Sequence, residues 1–105
     1  MELSNLSFQF AKDNGYHGEN DIYDVLLFFK EQKNLNFEVI KTPDGIWNGF
    51  VRKDPSIEAI RKLGFVEPII IFQTEMVTCL TDEEALDLLI SYFDIYNEKN
   101  HILYW

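Results

Sequence analysis

Apolar residues recur at helical spacing in Asp21–Lys33, which predicts the first well-defined helix of the chain. Ile22, Val25 and Phe29 have the spacing of a buried helical stripe. Either Asn20 or Asp21 can act as its N-cap, because both side chains accept hydrogen bonds from the first free amides. The preceding segment, residues 1–14, fits either a helix or a strand. Its apolar positions suit one face of a helix that the following glycine would end. Some of them also alternate with polar residues, as in a strand. We favour the helix and leave the strand open.

Two further helices are predicted in the second half of the chain. The shorter one begins with Asp54 as N-cap, and a proline occupies its first helical position. Its apolar residues are expected to face the core: Ile57, Ile60 and Leu63. The longer one covers Asp82–Asn97 and opens with a capping box, because Thr81 and Glu84 have the spacing of a reciprocal pair.

Two adjacent apolar stripes cover most of the predicted helix Asp82–Asn97. One consists of Leu86, Leu89, Phe93 and Tyr96, and the other of Ala85, Leu88, Tyr92 and Ile95. The residues between the stripes form a narrow polar line: Asp87, Ser91, Asp94 and Glu98. We therefore expect this helix to pack on the core and to expose the polar line.

Strand-like alternation predicts a β-hairpin in the middle of the chain. Its strands are Asn36–Lys41 and Ile46–Arg52, and the connection reads Thr-Pro-Asp-Gly. Proline fixes the backbone at the first turn position, and glycine accepts the left-handed conformation that follows. Trp47, in the second strand, either packs across the hairpin or stands exposed near its tip.

The most apolar run of the chain is Ile69–Phe72, which directly follows a proline. An unbroken run of β-branched and aromatic residues predicts a strand covered on both faces, at the centre of the sheet. The residues after it form either a second strand, Met76–Leu80, or the continuation of one long bent strand. The last residues, Asn100–Trp105, predict a short strand or a tail packed on the core.

Together these elements predict an α+β fold, in which a mixed or antiparallel sheet of three to five strands packs against helices. A chain of 105 residues has the size of a single domain. Its apolar content of 47% is well above that of disordered chains. The sequence contains neither a stretch of membrane-spanning length nor a secretory signal pattern, so we expect a soluble, cytoplasmic protein.

The charge of the chain is negative and unevenly distributed. Eighteen acids and nine bases give a formal net charge of −9. Residues 1–65 contribute ten acids and eight bases, whereas residues 66–105 contribute eight acids and one base. Binding of nucleic acids or anionic membranes requires concentrated lysine and arginine, so we expect neither as a direct ligand. A basic protein would be attracted by this field.

The sequence lacks the motifs of catalytic and cofactor sites. It contains no glycine-rich phosphate loop, no nucleophile elbow and no zinc-protease helix motif. Cys79 is the single cysteine, so it forms no internal disulfide and is expected to be a small buried hydrophobic residue. His17, with Glu19 and Asp21, is too sparse a set for a metal site. We therefore expect no catalysis, no metal and no cofactor.

Acidic residues of the last predicted helix are the strongest candidates for a binding site. Asp87, Asp94 and Glu98 share one helical face over about three turns, roughly 16 Å. Acids near a helix C-terminus are unfavourable to the helix dipole, which indicates a role other than helix stability. The acids of the first turn continue the line: Asp82, Glu83 and Glu84. Tyr92, beside the line, and Trp47 are candidate aromatic anchors.

A second group of acids lies on the predicted helix Asp21–Lys33 and in the loop before it. Its members are Asp21, Asp24 and Glu31, with Glu19 and Asp13 nearby. If the two helices pack side by side, their carboxylates merge into one surface. The sequence leaves that arrangement open.

In its size, its acidity and its lack of catalytic motifs, the chain resembles the small acidic immunity proteins of bacterial toxin systems, including those of contact-dependent growth inhibition and nuclease colicins. The resemblance carries no signature motif, so it transfers no residue roles. It implies a protein-binding inhibitor, or antitoxin, that covers the basic active face of a cognate toxin, in particular a nuclease domain. Complementary charge then raises the association rate, and aromatic anchors slow dissociation.

Two other classes of function fit the same composition. A phage-encoded DNA mimic, such as an anti-CRISPR or anti-restriction inhibitor, would use the acids in place of phosphates. A non-catalytic adaptor or subunit would use them only for solubility. Reversing the charges of Asp87, Asp94 and Glu98 distinguishes an adaptor from the other two classes, because an adaptor would keep its interactions after this change.

Overall fold

The computed structural model describes residues 1–64, 66–79 and 81–100, and in these residues it has an α+β fold with four helices and one three-stranded antiparallel sheet. Helix α4 contacts all three strands, α1 packs against α4, and α2 packs against β1. The elements in chain order are α1 (Asn5–Asp13), α2 (Ile22–Lys33), β1 (Leu35–Lys41), β2 (Trp47–Lys53), α3 (Ile57–Leu63), β3 (Ile69–Met76) and α4 (Asp82–Asn100).

The first two helices confirm the helical interpretation of the N-terminal third. Helix α1 is capped by Ser4, whose hydroxyl accepts a hydrogen bond from the Ser7 amide. After α1, Gly15 has a φ of +101°, the left-handed backbone that ends a helix at least cost on glycine. Helix α2 is capped by Asp21, whose side chain accepts from the amide of Asp24 at 3.2 Å.

The hairpin forms as predicted and supplies two of the three strands. Lys41 pairs with Trp47 across the turn, and Gly45 has the expected positive φ of +85°. Strand β2 is the central strand of the sheet, because β1 pairs with one of its edges and β3 with the other. Trp47 is partly buried and packs against the core, so it is not an exposed residue at the hairpin tip.

Strand β3 is an edge strand, so the prediction that Ile69–Phe72 lies at the centre of the sheet is wrong. Ile69 and Ile70 are both more than half exposed. The pairing with β2 is irregular at one point. Val51 pairs with Phe72 and Arg52 pairs with Ile70, so the register skips Ile71. The second half of the run, Ile71 and Phe72, is partly buried and packs against the core, so the described structure covers only part of this strand. The strand ends at Met76, and residues 77–79 are not in a strand, so the second strand predicted at Met76–Leu80 is not formed in its described part.

Helix α3 differs from its prediction in both its cap and its orientation. Its N-cap is Ser56, whose hydroxyl accepts from the amide of Ala59 at 3.1 Å. The carboxylate of Asp54, the predicted cap, instead accepts a hydrogen bond from the side chain of Asn36. The apolar residues predicted to face the core are exposed, by 69% at Ile57 and 75% at Leu63, and Ile60 is also exposed. Helix α3 therefore packs none of its side chains fully against the domain.

Phenylalanine rings form the centre of the core and connect the helices to the sheet. The ring of Phe93 on α4 lies 6.1 Å from Phe10 on α1, 5.8 Å from Phe37 on β1 and 5.9 Å from Phe72 on β3. Phe29 on α2 completes the cluster, 5.5 Å from Phe10. These pairs combine hydrophobic burial with favourable ring geometry. The core therefore holds α1, α2 and α4 in fixed positions.

Helix α4 begins where it is predicted and extends to Asn100, which confirms the element and lengthens it. The predicted stripe of Ala85, Leu88, Tyr92 and Ile95 is only partly correct, because Tyr92 and Ile95 are exposed. Ile90 and Ser91 are buried instead. Asn100 is helical, and the rest of the predicted terminal strand or tail, residues 101–105, lies outside the described residues.

Candidate functional site

The N-termini of α2 and α4 bring two groups of acids together. The hydroxyl of Tyr23 on α2 donates a hydrogen bond of 3.1 Å to the carboxylate of Glu83 on α4. The amino group of Met1 lies between the helices, 3.8 Å from Asp21 Oδ1 and 3.9 Å from Glu83 Oε2. The carboxylates therefore merge into one surface, as the sequence allowed but did not establish. We call it the acidic end and define it by Glu19, Asp21, Asp24, Asp82 and Glu83.

The local field of the acidic end is negative. The pKa of the Tyr23 phenol is raised above its ordinary value, first by the hydrogen bond to Glu83 and then by the charge of that carboxylate, with burial, Asp82 and Asp21 adding to the shift. The pKa of Tyr16 is also raised, first by burial and then by the charges of Asp24, Asp21 and Glu19. In both residues, the contributions from carboxylate charge have the sign of a surface that repels added negative charge.

No lysine or arginine in the described parts of the chain neutralises the acidic end. Within residues 1–64, 66–79 and 81–100, the ion pair between a basic side chain and a carboxylate is Arg52–Glu38 on the sheet, at 2.8 Å. The carboxylates of the acidic end are thus without a basic side-chain partner in that part of the molecule. Part of this acidity serves the helices themselves, because acids are favourable in a first helical turn. Glu19 lies before α2 and has no such role.

The polar line of α4 is not one exposed face, because α1 packs against its first half. The hydroxyls of Ser7 and Ser91 lie 2.7 Å apart, and Ser7 also donates to the backbone carbonyl of Asp87 at 2.9 Å. The Asp87 carboxylate accepts from the Ser4 hydroxyl at 3.0 Å and from its amide at 3.2 Å, at the start of α1. Asp87 therefore attaches α1 to α4, and it is a structural residue in this domain.

Unlike the two acids before it, Glu84 takes part in the N-terminal cap of α4. Its amide donates to the Thr81 hydroxyl at 3.2 Å, and that hydroxyl lies 3.2 Å from the Glu84 carboxylate.

Cys79, which precedes α4, is buried as predicted. The pKa of the Cys79 thiol is raised by burial and further by Glu84 and Asp87. These effects disfavour the thiolate, the form that acts as nucleophile and metal ligand.

The second half of the line, Asp94 and Glu98, forms a separate cluster with Asp13 at the end of α1. The pKa of Asp94 is raised by partial burial first, and then by the negative charges of Glu98 and Asp13. Asp13 itself accepts a hydrogen bond from Gln9 at 2.7 Å. This cluster is electrostatically unfavourable when all three carboxylates are ionised.

The raised pKa of Asp94 predicts how stability changes with pH. A carboxyl whose pKa is raised on folding favours the folded state when it is protonated, and this contribution is lost as the pH rises above its ordinary value of 3.8. Relative to Asp94→Asn, the wild type should therefore lose stability between acidic and neutral pH. Urea unfolding of both proteins at several pH values measures the difference.

The control for this experiment is Asp44→Asn, on the exposed hairpin turn, which removes one negative charge elsewhere. A difference between wild type and Asp94→Asn that is constant with pH, or that changes in the opposite direction, would contradict the expectation.

The two aromatic candidates lie away from the acidic end. Tyr92 lines a groove of about 480 Å³ between α4 and β3, together with Phe72, Ile95 and Tyr96. Trp47 packs at the edge of the core, with the Lys41 ammonium 5.9 Å from its ring. The aromatic residue that does lie in the acidic end is Tyr23, which is 54% exposed. Its position on α2, between Asp21 and Asp24, was the available signal in the sequence.

The described residues give no sign of a metal site or a membrane segment. No group of three or more histidine, cysteine, aspartate or glutamate side chains among them is arranged to hold a metal ion. In the same residues, no helix combines the length and the apolar character that crossing a membrane requires.

No family model matches the chain, and no curated protein or solved structure matches it either.

Proposed function

We propose that this protein is a protein-binding inhibitor that covers a basic surface of its partner with the acidic end, as an immunity protein covers a toxin nuclease domain. The observation that carries the proposal is the convergence of two helix N-termini, which places the carboxylates of Asp21, Asp82 and Glu83 near the exposed Tyr23. Glu19 and Asp24 lie close to Asp21 along the chain. Apart from the amino group of Met1, the described residues give these carboxylates no basic partner. A nuclease domain has the complementary charge, because it must bind phosphates through lysine and arginine.

The rigid attachment of the two helices supports tight binding by this surface. Val25 and Phe29 of α2 and Leu89 and Phe93 of α4 are fully buried, so both helices are fixed before a partner arrives. A preformed surface loses little conformational entropy on binding. Tyr23 adds a large, amphipathic side chain of the type that dominates interface energetics. The carboxylates then steer the encounter, and the tyrosine provides contact area at the centre.

We assign this activity to the cytoplasm. Because steering acts through screened charges, we expect the association rate constant to fall steeply with salt concentration.

A capture experiment with two matched triple variants tests the proposal. The first variant is Glu19→Lys, Asp24→Lys and Asp82→Lys, which reverses the acidic end and leaves its helix-capping and bridging carboxylates, Asp21 and Glu83, in place. The second is Asp13→Lys, Asp94→Lys and Glu98→Lys, which makes the same change in net charge at the other end of α4. Circular dichroism establishes that both are folded. Each protein is then used as bait in a lysate of the native host, and captured proteins are identified and quantified by mass spectrometry.

The proposal predicts that the wild type and the second variant capture the same basic protein, and that the first variant captures it at least about tenfold less. The wild type should also suppress the nuclease activity of the captured protein. Equal capture by both variants, or a loss confined to the second variant, would contradict the assignment of the acidic end.

A further inference from the structure

The groove between α4 and β3 runs along the second half of α4, away from the acidic end at its first turn. Its volume is about 480 Å³, and its walls include Tyr92 and Tyr96 of α4 and Phe72 of β3. The rings of Phe72 and Tyr96 lie 4.8 Å apart and join the two elements. The same two rings also line a neighbouring groove of about 340 Å³ along residues 70–73. The two grooves therefore adjoin, and together they form an apolar depression of the kind that marks a binding site.

The chain continues past α4 with five residues that have the composition of a packed element. They read His-Ile-Leu-Tyr-Trp, and we call them segment 101–105. Four of the five are apolar or aromatic, and none is an acid, a lysine or an arginine. This composition is the opposite of that of chains that stay unfolded in water. The hydrophobic effect therefore favours a surface on which these side chains can pack.

Segment 101–105 starts beside the groove and is long enough to cover it. Helix α4 ends at Asn100, a residue type that is common at helix ends because it tolerates left-handed backbone. Lys99, directly before it, lines the near end of the groove. Tyr92 precedes Asn100 by eight residues, or about 12 Å along the helix axis. Five extended residues span about 16 Å, so a chain that turns back at Asn100 reaches from Lys99 to Tyr92.

Attachment to α4 favours this segment over any separate molecule as the occupant of the groove. A segment joined directly to a binding surface meets it at an effective concentration in the millimolar range. A second copy of the chain, or another protein, would have to reach that concentration in solution. The charges that line the groove, on Glu75 and Lys99, are of opposite sign. The groove therefore lacks the negative field with which the acidic end attracts a basic partner.

From these observations we infer that segment 101–105 turns back at Asn100 and binds in the groove of its own chain, with its aromatic side chains against Tyr92, Tyr96 and Phe72. Of the strand and the tail that the sequence leaves open for these residues, the groove favours the tail. The segment covers Tyr92, which is 38% exposed in the described structure. It leaves the acidic end free, so partner binding at that end is independent of this contact.

The fluorescence of Trp105 tests this inference in the full-length chain. The chain has two tryptophans, so Trp47→Phe leaves Trp105 as the single reporter. The ring nitrogen of Trp47 has no hydrogen-bond partner in the described part of the chain, so phenylalanine loses no such bond there. Circular dichroism establishes that the protein is folded. We expect Trp105 to emit at shorter wavelength than in urea and to be quenched less by acrylamide, at every protein concentration.

Two matched variants of this reporter protein locate the contact. Tyr92→Lys places a charge in the groove, and Tyr23→Lys makes the same change at the exposed tyrosine of the acidic end. We expect Tyr92→Lys to shift the emission and the quenching of Trp105 toward their values in urea, and Tyr23→Lys to leave both unchanged. In the labelled protein, nuclear Overhauser effects should connect the Trp105 indole to the rings of Tyr92 or Tyr96.

Three results would overturn the inference. The first is a Trp105 that is quenched as strongly in the folded protein as in urea. The second is an equal response to Tyr92→Lys and Tyr23→Lys, or Overhauser effects from Trp105 to another part of the domain. The third is an emission shift that appears only as the protein concentration rises, because the segment would then bind a second copy of the chain.

Discussion

Replacement of Phe93 by alanine is expected to lower the free energy of unfolding by about 3–5 kcal/mol, the range typical of a buried phenylalanine. The side chain has no solvent exposure, and its ring contacts rings on α1, β1 and β3. The change therefore leaves a cavity at the point where the helices meet the sheet. Since a small domain has a total stability of about 5–15 kcal/mol, a large part of it is lost.

The control for this prediction is Ile95→Ala, on the same helix. Ile95 is 45% exposed, so its truncation should change stability by less than about 0.5 kcal/mol. Chemical denaturation followed by circular dichroism measures both variants. Similar losses in the two proteins would contradict the assignment of Phe93 to the centre of the core.

Replacement of Ser91 by leucine is the second prediction with a large effect, about 2–4 kcal/mol of lost stability. The Ser91 hydroxyl lies 2.7 Å from that of Ser7, and Ser7 and Ala11 of α1 are fully buried, so small side chains fill the space between α1 and α4. A leucine overfills this space, at about 1–3 kcal/mol, and the lost hydrogen bond adds about 1 kcal/mol.

Ser91→Ala separates the two contributions, because it removes the hydrogen bond and adds no volume. It should cost about 1 kcal/mol, and clearly less than Ser91→Leu in the same denaturation experiment. If position 91 lay on a solvated face, leucine would be tolerated as well as alanine. That outcome would show that α1 does not pack against the polar line of α4.

The elements that the sequence predicted correctly are those with strong local signals. The aspartate cap of α2, the proline and glycine of the hairpin turn and the Thr81–Glu84 pair each fix the backbone within a few residues. Apolar periodicity identifies α2 and α4 for the same reason. The α+β class follows from these signals together with the apolar run that forms β3.

The errors concern which apolar surfaces are covered, and this depends on contacts between distant parts of the chain. Ile69 and Ile70 have the composition of a central strand, yet they are exposed, and in the described sheet β3 pairs with β2 alone. The isoleucines of α3 have helical spacing, yet both are exposed in the described structure. Periodicity identifies an apolar face and does not identify the partner of that face.

The sequence predicted the candidate site only in part, again because contacts between distant parts of the chain decide the rest. The sequence indicates acids of α2 and α4 as candidates, because their number and positions are visible in it. It could not separate carboxylates with structural roles from those that face outward. Asp87 forms hydrogen bonds with Ser4, a residue far away in the chain, and the join between Glu83 and Tyr23 is equally non-local. Each of these assignments requires the packing of one helix on another.

The most direct test of the central claim is an NMR titration of the isotopically labelled chain with the basic protein that it captures. If the acidic end is the binding surface, the chemical-shift changes will concentrate in residues 19–27 and 82–86, the N-terminal parts of α2 and α4. Changes that concentrate instead in residues 57–76 or 94–100 would place the partner on α3 and β3 or on the Asp94 cluster, and would contradict the account.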